Sequence, residues 1–545
     1  MYKKKAPLLG VVFLLLAFAA ASAHADETQN LTELRQSLVN LVETLVQEGV
    51  LTREKADAIL RKALAKPGTE TAPAAAQAPT APEGVPPKPG EVRVPYVPEV
   101  VKEQIREQVR ADVMVQAKKE HWGVPGALPE WLDRISWDGD VRLRWQKDSF
   151  ARSNVPLTYL NYQNINNKRT INLQPQDLFL NTTEDRNRLR LRLRLGMTAK
   201  VNDETTAAAQ ITTGSLTNPV STTQTLGNSL DPYQLVLSQG YLKYRSSSSA
   251  FTFWGGRMPN PWFGTDLVWA NDLSFDGIAA KLRPRQIGEA ADTEHNFDPF
   301  ITVGVFPIQE VELSKSDKWL YAAQLGFDWA LQNESRFKFG LAYYDYQHIV
   351  GQSQPVLDSH SLDYTAPQFM QKGNTLYLIN NDTDPNAALY GLASDFREVN
   401  ATASFDIASF DPTHLILTAD YVKNIGYDKD AILQRTGDGA LATNPIEPHT
   451  KGYLLKFTVG WPETDKQGRW QAFAAYKHLE RDAVLDAFTD PDFHLGGTDA
   501  KGWILGGSYG LQDNAWLTLR YLSADAIDGP PLGIDVLQLD LNAKF

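Results

Sequence analysis

Val536-Leu537-Gln538-Leu539-Asp540-Leu541-Asn542-Ala543-Lys544-Phe545 is the stretch whose reading decides the fold. From Gln538 onward polar and apolar residues alternate strictly. Because successive side chains of a β-strand point to opposite faces, Leu537, Leu539, Leu541, Ala543 and Phe545 share one face. Gln538, Asp540, Asn542 and Lys544 share the other. The spacing predicts a strand with one face in an apolar medium and the other in water.

Working backward, fifteen more runs of similar length and alternating or apolar-aromatic character occur, the first at 135–146. The connections between the sixteen runs supply an independent test. Tight turns follow strands 2, 4, 8, 10, 12 and 14, among them Asn202-Asp203-Glu204, Asn333-Glu334-Ser335 and Gln512-Asp513-Asn514. Long segments follow strands 1, 3, 5, 9, 11 and 13, the longest at 147–186 and 348–395. Only the segment at 284–299, after strand 6, is longer than its parity allows. Short turns on one rim and long loops on the other define a membrane barrel, and an odd strand count would break the parity. The expectation is an all-β, 16-stranded antiparallel transmembrane β-barrel over residues 131–545. Trp137, Trp145, Trp254, Trp329, Tyr343, Trp461, Tyr476, Trp503 and Trp516 fall at or near strand ends, where an interfacial girdle places such rings.

Composition agrees without deciding. Mean hydropathy is −0.33 and charged residues make up 22%, values of an ordinary soluble protein. A membrane barrel has the same average, because only alternate residues meet lipid. The net charge of −12 argues against nucleic acid as a partner. With no cysteine, disulfides and thiol chemistry are excluded.

Ahead of the barrel, Lys3, Lys4 and Lys5 precede an apolar run at 8–21 and then Ala23-His24-Ala25, the layout of a secretory signal peptide over 1–25 with cleavage before Asp26. The apolar run is shorter than the roughly 20 residues a transmembrane helix needs. Leu31, Leu34, Leu38, Leu41, Val42 and Leu45 recur three and four apart, and Gly49 ends that pattern. Thr52 can cap a second helix, so 26–66 is expected to form an amphipathic helix pair. Residues 67–98 are a Pro/Ala-rich linker, and 99–130 a helical spacer bearing Val101, Ile105, Val109 and Val113. Together they form a short helical segment expected on the periplasmic side.

The clearest functional pattern is in strand 2, where Arg188, Arg190, Arg192 and Arg194 alternate with Leu189, Leu191, Leu193 and Leu195. With the leucines toward lipid, four guanidinium groups point into the lumen, charged at any physiological pH. Strand 1 adds Asp138, Asp140, Arg142 and Arg144 on its own polar face. Such residues set the transverse field of a water-filled pore. They can equally pair with carboxylates on neighbouring strands and hold the wall together, and both roles can hold at once. The turn-rich, aromatic segment from Pro259 to Asp272 is, by parity, the third loop of the long-loop rim. Asp266 and Asp272 are its candidates to oppose the basic ladder.

The closing strand and its terminal aromatic resemble those of bacterial outer-membrane proteins. More closely, Arg188 to Lys200 (Arg-Leu-Arg-Leu-Arg-Leu-Arg-Leu-Gly-Met-Thr-Ala-Lys) and Gly256-Arg257-Met258-Pro259-Asn260-Pro261-Trp262 resemble the "putative porin" family, as does the order of leader, helix pair, Pro-rich spacer and barrel. The resemblance implies an outer-membrane porin for passive diffusion of ions and small hydrophilic solutes. By analogy with general porins it also implies a homotrimer and a third loop folded into the barrel.

Rival classes leave weaker traces. The nine histidines are scattered, none in a His-Glu-x-x-His spacing, and no Ser-His-acid set can be named, so no enzyme, metal or cofactor is expected. Asp382-Thr383-Asp384 lacks the rest of a calcium loop. Sixteen strands fall short of the 22 of plugged transporters. A solute-specific channel stays open, as does a barrel that mainly anchors an oligomerising or cell-wall-binding helical segment.

Overall fold

The computed structural model describes residues 134–284, 297–312, 314–331, 334–436 and 447–545. The expected leader, helix pair, linker and spacer all lie outside them. The described residues form a closed antiparallel barrel of sixteen strands. In chain order these are β1 Ile135–Phe150, β2 Arg186–Lys200, β3 Thr205–Thr213, β4 Leu235–Arg245, β5 Phe251–Pro259, β6 Ser274–Leu282, β7 Phe297–Gln309 and β8 Lys318–Ala330. They continue as β9 Arg336–Gln347, β10 Arg397–Phe410, β11 Thr413–Asn424, β12 Lys451–Gly460, β13 Trp470–Leu479, β14 Ala500–Gln512, β15 Ala515–Ala526 and β16 Gly533–Lys544. Each strand pairs with the next, and β16 pairs with β1 from Asp140↔Lys544 to Phe150↔Ile534, which closes the wall. Among the described residues, no helix is long and apolar enough to cross a membrane.

The alternation read in the sequence becomes an inside and an outside. Leu189, Leu143, Leu541 and Trp503 lie on the exposed outer surface, whereas Arg144 and Gln538 are buried within. The turns after β2, β10 and β14 are short. We call the opposite, long-loop connections L1 to L8 in order; L1 is 151–185, L2 214–234, L3 260–273, L5 348–396, L7 480–499 and L8 527–532.

Strand β7 runs further than the sequence pattern indicated at 300–306. Pro299 and Pro307 interrupt the apolar run, yet both lie beyond the β6–β7 ladder, which covers only Ile301 to Val305. A residue without an N–H is tolerated at such positions.

The lumen is not empty. L3 crosses it, because its contacts are with the far wall. Phe263 exchanges two hydrogen bonds with Gln324 of β8 (2.9 and 2.7 Å). Thr265 donates twice to Asp420 of β11 (3.1 and 2.6 Å). The Asp266 carbonyl accepts from Lys477 of β13 (2.7 Å), eight strands from β5 in a ring of sixteen. Behind L3 an apolar core inside the barrel gathers Trp262, Leu267, Val268 and Trp269 with Phe306, Tyr344, Met370, Phe396 and Leu485 from the wall, L5 and L7. Trp269 packs edge-on to Tyr344 and Phe275, ring centroids 5.1 and 4.9 Å apart.

Two facing glycines let the chain turn inward. Gly256 of β5 and Gly277 of β6 are paired directly and have φ of +118° and +139°. At that level the ladder to β4 stops at Gly240↔Arg257 and the ladder to β7 at Ile278↔Val305. Beyond it the β5–β6 tip leans into the lumen and buries Met258 and Phe275. A cavity of ≈ 660 Å³ remains beside the tip, lined in part by Leu237, Arg257, Phe275 and Phe306. A Cβ at Gly256 would lie 2.5 Å from the Gly240 carbonyl oxygen, whereas one at Gly264 would meet nothing within 4 Å. Gly256→Ala is therefore expected to cost about 1–3 kcal/mol in a conformation L-residues avoid. Gly264→Ala is expected to be close to neutral. Thermal unfolding of the two refolded variants, followed by circular dichroism, checks the contrast.

Candidate functional site

The polar faces of β1 and β2 lie side by side, with Arg142↔Arg192, Arg144↔Arg190 and Asp140↔Arg194 as direct cross-strand pairs. Like charges directly opposite each other would repel, so the wall needs carboxylates between them. Asp140 of β1 receives Arg192 Nη2 at 2.7 Å and Arg194 Nε at 2.7 Å. Asp148 pairs with Arg188. Asp540, reached across the closing seam on β16, holds Arg144 in a two-pronged pair of 2.6 and 2.8 Å. Arg142 instead donates to the Thr223 hydroxyl at 2.6 Å. Asp138 sits lower on the same face, where its carboxylate covers Gly196.

Two loops complete the site. Asp272, at the end of L3, faces Arg192 and Arg194 at 3.6 Å each. Its other oxygen accepts from the N–H and hydroxyl of Thr222 in L2 (3.1 and 2.7 Å). Burial alone would raise this carboxyl, but Arg192, Thr222 and Arg194 together hold it below the usual range. Asp266 is placed elsewhere, with its carbonyl on Lys477 of the far wall. The structure thus brings Arg188, Arg190, Arg192, Arg194, Arg142, Arg144, Asp140 and Asp272 together on one stretch of wall, where Arg192 and Arg194 share Asp140 and Asp272, with Asp138 beneath them and Asp266 across the lumen.

Asp492 of L7 was not singled out from the sequence. It reaches Arg144 at 2.6 Å, Arg520 of β15 at 2.8 Å and Arg190 at 3.4 Å. Burial pushes this carboxyl up, but Arg144, Arg520 and Arg190 outweigh it and hold it well below the usual carboxylate range. Asp490-Pro491-Asp492 has no periodic context, so strand-pattern reading passes over it. The one available signal was its place in a long-loop connection that could reach a basic wall.

L7 is itself clasped by L5. Thr375 donates through its N–H and hydroxyl to Asp482 (2.9 and 2.6 Å), and Asn374 caps two L7 carbonyls. Lys372 Nζ donates to His494 Nδ1 at 2.7 Å. An ammonium has no acceptor, so the His494 proton sits on Nε2, which donates to the Leu532 carbonyl at 2.8 Å. One oxygen of Asp486 is buried in this clasp without a partner, and burial pushes its carboxyl up to about 7.

Among the described residues, no group of three His, Asp or Glu side chains is placed to hold a metal. Asp382 is engaged by Asn380 and His360.

A barrel with a charged luminal wall and a loop folded against it defines a porin-like protein. Residues 35–545 match the model of the family described as "Putative porin", and the chain belongs to that family. No curated protein matches it. Among solved structures, the chain is similar to OprB of Pseudomonas putida at 13% identity and a TM-score of 0.41, over 76% of this chain and 96% of that one. It is also similar to the outer-membrane channel DcaP of Acinetobacter baumannii at 10% identity and a TM-score of 0.37, over 75% and 97%.

The raised Asp486 carboxyl gives a pH dependence. Its folded value of about 7 lies above the ordinary carboxyl value of 3.8, so the folded state holds the proton more tightly. Stability from this group is full below about 3.8 and is lost progressively as pH rises to about 7. Asp486→Asn, a neutral mimic of the protonated acid, is expected to raise the melting temperature more at pH 8 than at pH 5. Thermal unfolding at the two pH values measures this.

Proposed function

We propose that this porin is a passive channel of the bacterial outer membrane for ions and small hydrophilic solutes. Its water path is bounded by the ladder Arg188, Arg190, Arg192 and Arg194, the β1 residues Asp138, Asp140, Arg142 and Arg144, and Asp272 of L3. The observation that carries this reading is the convergence of these groups on one luminal strip. There the Arg190, Arg192 and Arg194 side chains keep 13%, 13% and 25% exposure while ion-paired. Positions fixed by ion pairs yet open to water are what a charge filter needs. Pairing at such sites contributes little to stability by itself, because solvent screens it.

The filling of the lumen by L3, L5 and L7 favours a narrow, solute-selective passage over a wide one. In this reading residues 1–25 direct export and are removed. Residues 26–66, 67–98 and 99–130 form a periplasmic helix pair, linker and spacer. The exposed apolar wall meets outer-membrane lipid and, in part, the other copies of a homotrimer. No catalysis is assigned.

Refolded protein in planar bilayers is expected to conduct in discrete steps. Replacing Arg190 and Arg192 with Gln should move the reversal potential under a salt gradient toward cation preference. Folded barrels that never conduct would overturn the channel reading in favour of an anchoring barrel. Deleting residues 26–130 is a separate test. Conductance should survive the deletion, and its loss would give the front segment the main role.

A further inference from the structure

Asp492 occupies a site with the form of a receptor for a small anion. Arg144, Arg190 and Arg520 come from three different strands, β1, β2 and β15, and aim guanidinium nitrogens at one carboxylate. One oxygen takes Arg144 and Arg520 at 2.6 and 2.8 Å, and the other faces Arg190 at 3.4 Å. Behind the cations, Gln146 accepts from Arg190 at 2.9 Å and Gln538 from Arg520 Nε at 3.0 Å, which fixes their planes. The arginines are therefore positioned by the wall and not by their occupant.

Charge makes the cradle demanding. Arg144 also holds Asp540, but among the described residues Arg190 and Arg520 have Asp492 as their one carboxylate at ion-pair distance, so withdrawal of Asp492 leaves two guanidinium groups unpaired in a confined site. A buried cation without its partner is costly, and a planar two-oxygen anion is the partner guanidinium groups match best. Arg144 is almost fully buried, but Arg190, Arg520 and Asp492 keep 13%, 22% and 16% side-chain exposure, so the cradle is open on one side.

L7 does not depend on this carboxylate for its seat. Phe493 is buried among Leu522, Ile534 and Val536, His494 bridges Lys372 and Leu532, and Thr489 and Thr498 donate to the Gly497 and Arg481 carbonyls.

We infer that Arg144, Arg190 and Arg520 form a binding site for solutes bearing a carboxylate, and that Asp492 is its tethered occupant, displaced when such a solute passes. This rests on the channel reading for its purpose, though not for its chemistry. An arriving carboxylate exchanges places with Asp492, so the arginines stay paired throughout and the solute is released when Asp492 returns.

The test uses detergent-purified full chain, with propionate as the probe in isothermal titration calorimetry. Asp492→Asn is expected to bind propionate at least about tenfold more tightly than the unaltered protein, the order of gain for a charge-assisted, two-pronged contact freed from a competitor. Adding Arg520→Gln should abolish that gain. Asp328→Asn, the same charge change beside Arg336 on another part of the luminal wall, should bind as the unaltered protein does. Equal affinity in the Asp492→Asn and unaltered proteins, a gain that survives Arg520→Gln, or binding of inorganic phosphate without propionate would each overturn the inference. Asp492→Ser repeats the measurement if the asparagine variant fails to refold. Single-channel recording of the same preparations keeps the two readings apart. Conduction without propionate binding would remove the cradle and leave the channel, and binding without conduction would do the reverse.

Discussion

A peptide N–H or C=O facing lipid with no partner costs several kcal/mol, and this requirement governs the architecture. An open sheet would leave two edges unpaired. The chain meets the constraint by registering β16 against β1 along the whole seam, from Asp140↔Lys544 to Phe150↔Ile534. Once the wall is closed, every strand has one outer face and one luminal face, and the two-residue period becomes a sorting rule. Leu189 and Leu541 are outside for the same reason that Arg190 and Asp540 are inside.

The rule also explains what occupies the lumen. A charged wall with no counter-charge would be unfavourable, and the leucine–arginine repeat of β2 supplies too many cations for β1 alone to balance. The remaining carboxylates come from the closing strand and from two loops that fold inward, L3 with Asp272 and L7 with Asp492. The kink at Gly256 and Gly277 admits L3, and the apolar faces of Trp262 and Trp269 give it a dry surface on which to rest. Hydrophobic and electrostatic terms therefore act together: apolar burial holds the loops inside, where their acidic residues meet the ladder.

Much of this was legible in the sequence because it is periodic. The sixteen strands, the alternation of turns and long loops, and the inward face of the arginines all follow from a period of two. Asp272 was also within reach, since parity identifies the third long loop and its acidic residues are few. What could not be read is whatever lacks a period. Asp492 lies in an irregular loop, and only the folded chain reveals that the loop after β13 spans the lumen to β1 and β2. Asp266 illustrates the same limit: the same parity singled it out with Asp272, but the local path of L3 places its carbonyl on Lys477, across the lumen from the ladder. At β7 the two prolines hid the strand ends, because their tolerance depends on which neighbour's ladder has already stopped.

The two-pronged contact between Arg144 and Asp540 joins the first strand to the last. During synthesis and insertion, β1 and β2 exist long before β16, and until β16 arrives Arg144 lacks the carboxylate that holds it most firmly. An incomplete barrel thus carries an unbalanced cluster of guanidinium groups as well as two raw edges, and the final strand removes both defects in one step. Closure is in this way written into the charge of the wall, so that a barrel without β16 is penalised twice and one that has it gains the pairing of Arg144 together with its last row of hydrogen bonds.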